Sequence, residues 1–281
     1  MLDATGGQRP MPSLTIEPDG RIVRAMKYLA MLPAVLGLML GVAPGARAQT
    51  EITLLSPNPI ETTINTLAAD FEAKSGIKVK ITYGTGVSTR KDVAAGKAQD
   101  VSLLFSPFPE ALRTGNIVPN SATVIARMRL AIAVKKGAPK PDISTPDAVR
   151  RTLRNAKSIV SVDPEQGSVG GAVLLTLDKL GITQEIKPKI TWVAGGGVVQ
   201  DGVAKGEYEI ALGPYLSDMR NPGLDVVGAL PPAASTPVDI TGFLSTSVKD
   251  PKAARALLDY LKSPEVAPVY RSAKMFAAAD K

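Results

Sequence analysis

The sequence predicts an α/β protein whose chain forms two lobes joined by a hinge, as in a clamshell. Apolar strand patterns alternate with helical patterns along the chain, and this alternation occurs twice. Two long apolar segments, one beginning at residue 128 and one around Ile240, bracket the second set. We therefore expect residues 49–127 and 239–281 to form the first lobe and residues 128–238 to form the second.

The first lobe is predicted from periodicity, starting with strands at residues 51–55, 77–83 and 100–105. Between the first two lies a helix at 62–73, whose apolar residues recur at helical spacing. A second helix, capped by Ser88 or Thr89, is expected to end at Gly96. This order of elements is typical of a sheet covered by helices.

The second lobe repeats the pattern after an apolar strand at 128–134, which we interpret as the first crossing between lobes. Thr145 and Pro146 open a helix. The further predicted elements are strands at 158–162, 190–193 and 209–212, a helix at 170–180 closed by Gly181, and a helix through Val199 that ends at Gly206. The chain then returns through a strand near Ile240.

The carboxyl-terminal segment predicts two helices with proline starts. Asp250 can cap a helix that begins at Pro251, and apolar residues follow at helical spacing. Ser263 and Pro264 repeat this start, so a second helix is expected there.

The amino terminus has the pattern of a secretory signal peptide. Basic residues precede an apolar run at 28–42, and small residues at Ala46 and Ala48 suit cleavage after Ala48. The run is shorter than the roughly 20 residues that span a membrane, so an uncleaved anchor is the weaker alternative. We expect a mature periplasmic protein, with translation starting at Met1 or Met26.

Composition excludes several kinds of chemistry. The chain has no Cys and no His, so it lacks the Ser-His-Asp, Cys-His and usual zinc sites. Gly84-Thr85-Gly86 lacks the third glycine of a dinucleotide-binding loop. Removing the five basic and three acidic residues of positions 1–48 from the totals of 33 and 26 leaves a net charge of +5, which is mild. With aromatic residues at 4%, nucleic-acid binding is not indicated. We expect no catalytic residue, no metal and no cofactor.

Several segments resemble a known family. Residues 238–265 are similar to the closing segment of bacterial solute-binding proteins. Other segments resemble the periplasmic molybdate-binding proteins of ABC importers, which are type II solute-binding proteins. The similar loops occur in order at 56–59, 83–87, 163–170, 195–198 and 214–218. The family's Asp-Val signature is also present, at 95–101.

The resemblance implies a type II clamshell with a mixed sheet in each lobe and two crossing strands at the hinge. It also implies a monomeric periplasmic receptor that captures a molybdate- or tungstate-like oxyanion and delivers it to an ABC permease. Family positions carried onto this chain predict ligand contacts at Asn58, Pro59, Gly86, Val87, Ser168 or Val169, Val198 and Tyr215. Helix-start amides and hydroxyls hold the anion in this family, an arrangement that the helix dipole favours.

The chain departs from the family at Pro59, Gly86 and Val87, where serines are usual. Thr85 lies close enough in the sequence to replace these serines as a ligand contact, as do Asn58 and Ser88. Two alternatives therefore stay open, the first being a receptor for another anion such as a carboxylate.

The second alternative is an exported isomerase or lyase of small organic acids, with Asp163 or Glu165 and Tyr215 as acid and base. Arg90 and Lys91 are the cations nearest to the predicted loops. Both are expected on the outer face of their helix, unless a carboxylate ligand draws Arg90 inward.

Overall fold

The computed structural model describes residues 50–97, 99–215 and 221–280. The predicted signal peptide and its cleavage site lie outside these residues. In chain order the strands are β1 (Glu51–Pro57), β2 (Lys78–Gly84), β3 (Val101–Phe105), β4 (Thr123–Met128), β5 (Leu130–Lys135), β6 (Ile159–Val162), β7 (Ile190–Val193), β8 (Ile210–Pro214), β9 (Leu224–Ala229), β10 (Val238–Leu244) and β11 (Phe276–Ala277).

Helices alternate with these strands and cover both sheets. They are α1 (Glu61–Ser75), α2 (Gly86–Ala94), α3 (Pro109–Leu112), α4 (Pro146–Asn155), α5 (Ser168–Leu180), α6 (Thr183–Ile186), α7 (Gly196–Lys205), α8 (Pro251–Leu261) and α9 (Ala267–Ser272). In the described residues no helix is long and apolar enough to cross a membrane.

The first sheet has six strands in the order β11-β4-β10-β3-β1-β2, and we call it and its helices the first lobe. β1 runs parallel to β2 and β3, whereas β10 is antiparallel to both β3 and β4. Its strands are largely apolar because helices cover them: Ile52, Leu103 and Ile240 are completely buried.

The second sheet has five strands in the order β7-β6-β8-β5-β9, and it forms the second lobe. β6 is parallel to β7 and β8, and β5 is antiparallel to β8 and β9. Both sheets are therefore mixed and flanked by helices, which confirms the predicted fold class.

The chain passes between the sheets through a single residue. Met128 ends β4 and pairs with Val238, and Leu130 begins β5 and pairs with Pro214, so Arg129 alone lies between the two strands. The prediction of one uninterrupted strand at 128–134 was wrong. Met128 and Leu130 are both buried, and hydrophobicity therefore could not show that they belong to different sheets.

Helix starts and ends follow the predicted capping residues at most positions. Thr145 and Asp250 accept hydrogen bonds from the amides of Ala148 and Ala253, and Gly181 ends α5 in the left-handed conformation. Ser263, by contrast, makes no side-chain capping bond.

The cap of α2 was predicted at the wrong residue. Thr85 caps this helix, with its Oγ1 accepting from the Ser88 amide at 3.0 Å, and neither Ser88 nor Thr89 is the cap. The helix thus begins three or four residues earlier than predicted, and its first turn reaches the cleft between the lobes.

Candidate binding cleft

A cavity of about 460 Å³ lies between the two lobes, where strand ends meet helix starts. It is lined by the predicted residues Asn58, Pro59, Thr85, Gly86, Ser168 and Val169, and also by Phe105, Val162, Gln166, Gly167, Ala194, Gly195, Gly196, Gly197, Gln200 and Pro214. The structure thus brings six of the nine predicted positions to one cavity.

The wall from the first lobe is formed by the ends of β1 and β2. Asn58 and Pro59 form a short 3₁₀ turn directly after β1, and Thr85 and Gly86 start α2 directly after β2. A Cβ added at Gly86 would lie 3.3 Å from Cδ2 of Phe105 and 3.7 Å from Oγ of Ser168. The start of α2 therefore closely approaches the start of α5 in the other lobe.

The wall from the second lobe is formed by the starts of α5 and α7. Gly170, in the first turn of α5, packs so tightly that a Cβ there would lie 2.2 Å from the carbonyl oxygen of Val162 and 2.5 Å from the nitrogen of Pro164. Glycines 195–197 at the start of α7, in contrast, have open space where a Cβ would be. Their backbone is therefore accessible from the cavity.

The electrostatics of the cleft favour an anion. α5 and α7 are preceded by Gly167 and Gly195, which supply no side-chain cap, so the first amides of both helices keep free hydrogen-bonding capacity. Each helix start also carries the positive end of the helix dipole. Among the lining residues that the structure describes there is no carboxylate.

Arg90 adds a cation directly behind this wall. It is only 7% exposed, and its Nη1 donates to Oγ of Ser168 and, at 3.1 Å, to the carbonyl of Pro107. Its Nε lies 2.7 Å from Oε1 of Glu110, which is partly exposed. The Oγ of Ser168 in turn donates to the carbonyl of Phe105 at 3.3 Å.

The expectation that Arg90 lies on the outer face of α2 was wrong. Thr89, Arg90 and Val93 are the buried residues of this helix, whereas Lys91 is exposed as predicted. The signal in the sequence is the spacing of Arg90 and Val93, which places the arginine on the face that Val93 buries. A long cationic side chain at such a position is easily assigned to solvent.

Three predicted ligand residues are not among those that line the cavity. Val198 is 54% exposed on the first turn of α7, and Val87 is half-buried in α2. Tyr215 follows β8, where its amide donates to the carbonyl of Arg129 at 2.7 Å. Their contact with ligand stays a prediction.

Two glutamines that line the cavity were missed in the sequence. Gln200 lies one turn beyond Gly196 on α7, so its helical spacing from the glycine run is the signal. Gln166 lies in the turn before α5, where sequence spacing does not indicate which way a side chain points.

The carboxylates considered for acid and base roles do not line the cavity. Oδ1 of Asp163 accepts the amide of Glu165 at 2.8 Å and so shapes the turn before α5, and Glu165 is exposed. Within the described ranges no three His, Cys, Asp or Glu side chains are grouped so that they could hold a metal ion.

Comparisons with known proteins agree with this architecture. Residues 52–273 match the family described as bacterial extracellular solute-binding protein. The chain is 30% identical over 239 residues to the aconitate isomerase of a Pseudomonas species, covering 82% of this chain and 90% of that protein.

Molybdate-binding proteins are also similar to this chain. The molybdate-binding protein ModA of Azotobacter vinelandii is 27% identical over 246 residues, covering 84% of this chain and 92% of that protein. The solved periplasmic molybdate-binding protein of the same organism has a TM-score of 0.61 at 18% identity, covering 80% of this chain and 98% of that one. These findings confirm the family that the loop segments predict.

Proposed function

Because this chain belongs to the bacterial extracellular solute-binding protein family, we propose that it is the periplasmic receptor of an ABC importer and that its cleft captures a small organic carboxylate. The observation that carries this proposal is the lining of the cleft. The starts of α2, α5 and α7 converge on it, and no carboxylate is present among its described residues. Such a surface attracts an anion and does not repel it.

The side chains of the cleft favour a carboxylate over a tetrahedral oxyanion. Hydroxyls usual in the molybdate-binding family are absent at Pro59, Gly86 and Val87. Asn58, Gln166 and Gln200 instead supply amide groups, which donate readily to carboxylate oxygens. The volume of about 460 Å³ falls in the range of about 300–1,000 Å³ that is typical of organic ligands.

Arg90 supports the same ligand class. Its guanidinium lies between Glu110, which is partly exposed and pairs with Nε, and Ser168 in the wall of the cleft. A carboxylate near the start of α5 would therefore be stabilised by the helix amides and by this buried charge together.

In the proposed arrangement the hydroxyl of Ser168 bonds to the protein and not to the ligand. Its one proton is donated to the carbonyl of Phe105, and it accepts from Arg90. The donors that α5 offers to a ligand are then the backbone amides of Ser168 and Val169, while the side chain of Ser168 holds Arg90 in place.

An isomerase of small tricarboxylic acids is the second candidate function. The 30% identity to an aconitate isomerase favours it. Isomerisation of aconitate moves a proton between two carbons and requires an acid and a base. No described lining residue has a side chain that titrates near neutral pH, and this favours capture over catalysis.

A thermal-shift panel on residues 49–281 tests the proposal. The anions are molybdate, tungstate, sulfate, phosphate, succinate, malate, citrate, cis-aconitate and trans-aconitate. We expect a carboxylate to give the largest shift. A ligand at 100 times its Kd stabilises a protein by about 2.7 kcal/mol, and thermal unfolding detects a change of that size. A shift with molybdate or tungstate and with no carboxylate would contradict the proposed ligand class.

Catalysis is tested separately by incubating the protein with cis-aconitate and following the trans isomer by chromatography. A receptor binds the acid and leaves the isomer ratio unchanged. Enzyme-dependent formation of the trans isomer would overturn the receptor assignment in favour of the second candidate.

A further inference from the structure

A second cavity, of about 220 Å³, lies at the hinge, at the end of α5 that is remote from the cleft. Its polar and aromatic lining consists of Arg127, Arg129, Lys179, Ser235, Phe276 and one carboxylate, Asp280. Ser168 starts α5 in the cleft and Lys179 lies in its last turn, so the two cavities are about 16 Å apart along the helix. We propose that this second cavity, the hinge pocket, binds a small oxyanion such as phosphate or a single carboxylate group.

The charges around the hinge pocket are not balanced. Arg127 is paired with Asp239, with 3.1 Å between Nε and Oδ1, and Asp280 is paired with Arg271. Arg129 and Lys179 have no carboxylate partner in the part of the chain that the structure describes. Two positive charges therefore remain for an anion to neutralise.

Arg129 is held in position by aromatic rings and not by an acid. Its guanidinium carbon lies 4.2 Å from the ring centre of Phe276 and 5.7 Å from that of Tyr215. Stacking of this kind fixes the plane of the guanidinium and leaves its N–H edge free. The Nε atom is buried and has no hydrogen-bond partner among the described residues.

Ser235 provides an independent indication that the hinge pocket binds a hydrogen-bond acceptor. It is only 4% exposed, and its Oγ is also buried without a hydrogen-bond partner among the residues described. An unsatisfied buried hydroxyl costs roughly 1–3 kcal/mol. Proteins rarely retain such a group without a partner.

Lys179 completes the set of donors. Its Nζ donates to the carbonyl oxygens of Pro232 at 2.9 Å and Ser235 at 3.0 Å, which leaves one of its three hydrogens. An oxyanion in the hinge pocket would accept from Lys179, from the hydroxyl of Ser235 and from the guanidinium of Arg129. One ligand of this chemistry satisfies both unpaired buried donors and both unpaired charges.

The hinge pocket lies on the two connections between the lobes, so its proposed ligand does not depend on the ligand of the cleft. Arg129 is the single residue between β4 and β5, and Ser235 lies in the return connection between β9 and β10. An anion in the hinge pocket would therefore contact both connections between the lobes.

An NMR titration of the ¹⁵N-labelled chain 49–281 tests the inference. Inorganic phosphate and, separately, acetate are added at constant ionic strength maintained with chloride. We expect saturable shifts of the amides of Lys179 and Ser235. Tighter binding of phosphate would identify a phosphate site, and equal or tighter binding of acetate would identify a carboxylate site.

Two variants and one control locate the binding. Ser235→Ala and Lys179→Gln should each weaken binding of the anion by about fivefold or more. Ser235→Ala removes a hydroxyl that has no hydrogen-bond partner among the described residues. Lys252→Gln, on the exposed face of α8, removes the same charge and should leave the affinity unchanged. Absence of saturable shifts, equal affinity in both variants and the unmodified chain, or shifts confined to residues 167–169 of the cleft would overturn the inference.

Discussion

Nη1 of Arg90 in the first lobe donates a hydrogen bond to Oγ of Ser168 in the second. The same Oγ donates to the carbonyl of Phe105, so one hydroxyl makes two contacts across the cleft. Both residues are buried, and the bonds are therefore shielded from water. Because the guanidinium belongs to one lobe and the hydroxyl to the other, the relative position of the lobes determines where the charge of Arg90 lies beside the cleft.

Replacing Ser168 by Ala should weaken ligand binding only moderately, by about three- to tenfold. The change removes two hydrogen bonds between the lobes, each contributing about 0.5–1.5 kcal/mol, but it keeps the backbone amides at the start of α5. Arg90 also retains its bond to the carbonyl of Pro107. Calorimetric titration of Ser168→Ala measures the effect.

The control for this change is Ser272→Ala, which removes an exposed hydroxyl that bonds only within α9. Its affinity should equal that of the unmodified protein. A loss of more than a hundredfold in Ser168→Ala would show that the hydroxyl itself binds the ligand and does not merely hold Arg90 in place.

Gly170 and Gly171 offer a matched pair for testing how α5 is positioned. Gly170→Ala should lower the free energy of unfolding by about 3 kcal/mol, because its Cβ would clash with the backbone at Val162 and Pro164. Gly171→Ala meets only Cδ of Pro107, at 3.8 Å, and should be neutral or stabilising by up to about 1 kcal/mol. Urea denaturation of both variants gives the comparison, and equal stability of the two would disprove the proposed packing.

Asp100 should make the protein sensitive to acid. Burial alone would raise the pKa of Asp100, but bonds from the amides of Lys249 and Thr53 and from the Thr53 hydroxyl outweigh it and hold the pKa below its usual range. A lowered pKa stabilises the folded state above the unfolded value of about 3.9 and stops doing so as pH falls through the folded value.

Asp100→Asn should therefore lower the free energy of unfolding by roughly 1.5–3 kcal/mol at pH 7, since the amide cannot accept all of these bonds. The difference from the unmodified protein should shrink below about pH 4. Asp259→Asn, at an exposed position, should change stability by less than about 0.5 kcal/mol. Denaturation curves between pH 3 and 7 check this, and a difference that stays constant over that range would refute the role of the charge.

Periodicity predicted most strands and helices because burial of one face is a local property of the sequence. It failed at Arg129, where the chain leaves one sheet for another between two equally buried residues. It also missed β4 and β9, each of which ends where the chain passes from one sheet to the other. Sheet membership depends on contacts between residues far apart in the chain.

The candidate site was predictable where a loop lies between a strand end and a helix start. The family's loop positions predicted Asn58, Gly86 and Ser168, and all three line the cavity at such junctions. Neither the rule nor the family positions indicate Arg90, whose importance follows from a contact with a helix 78 residues away. The spacing of Arg90 and Val93 indicates that the arginine is buried, but its place beside the cleft depends on the contact with Ser168 in the folded protein.

Arg90 is central to the proposed function, because it supplies a charge that stabilises a carboxylate in the cleft. The most direct test is calorimetric titration of Arg90→Gln with the carboxylate that gives the largest thermal shift, beside Lys91→Gln, which removes an exposed charge from the same helix. Circular dichroism first establishes that both variants are folded, and Arg90→Lys, which keeps the charge, should recover part of the affinity. Removal of a buried charge beside the cleft should cost roughly 1.5–3 kcal/mol at an effective dielectric constant of about 20, so we expect Arg90→Gln to bind about 10- to 150-fold more weakly and Lys91→Gln to bind normally. Equal affinity in Arg90→Gln and Lys91→Gln, or no carboxylate binding by the unmodified protein, would contradict this role of Arg90.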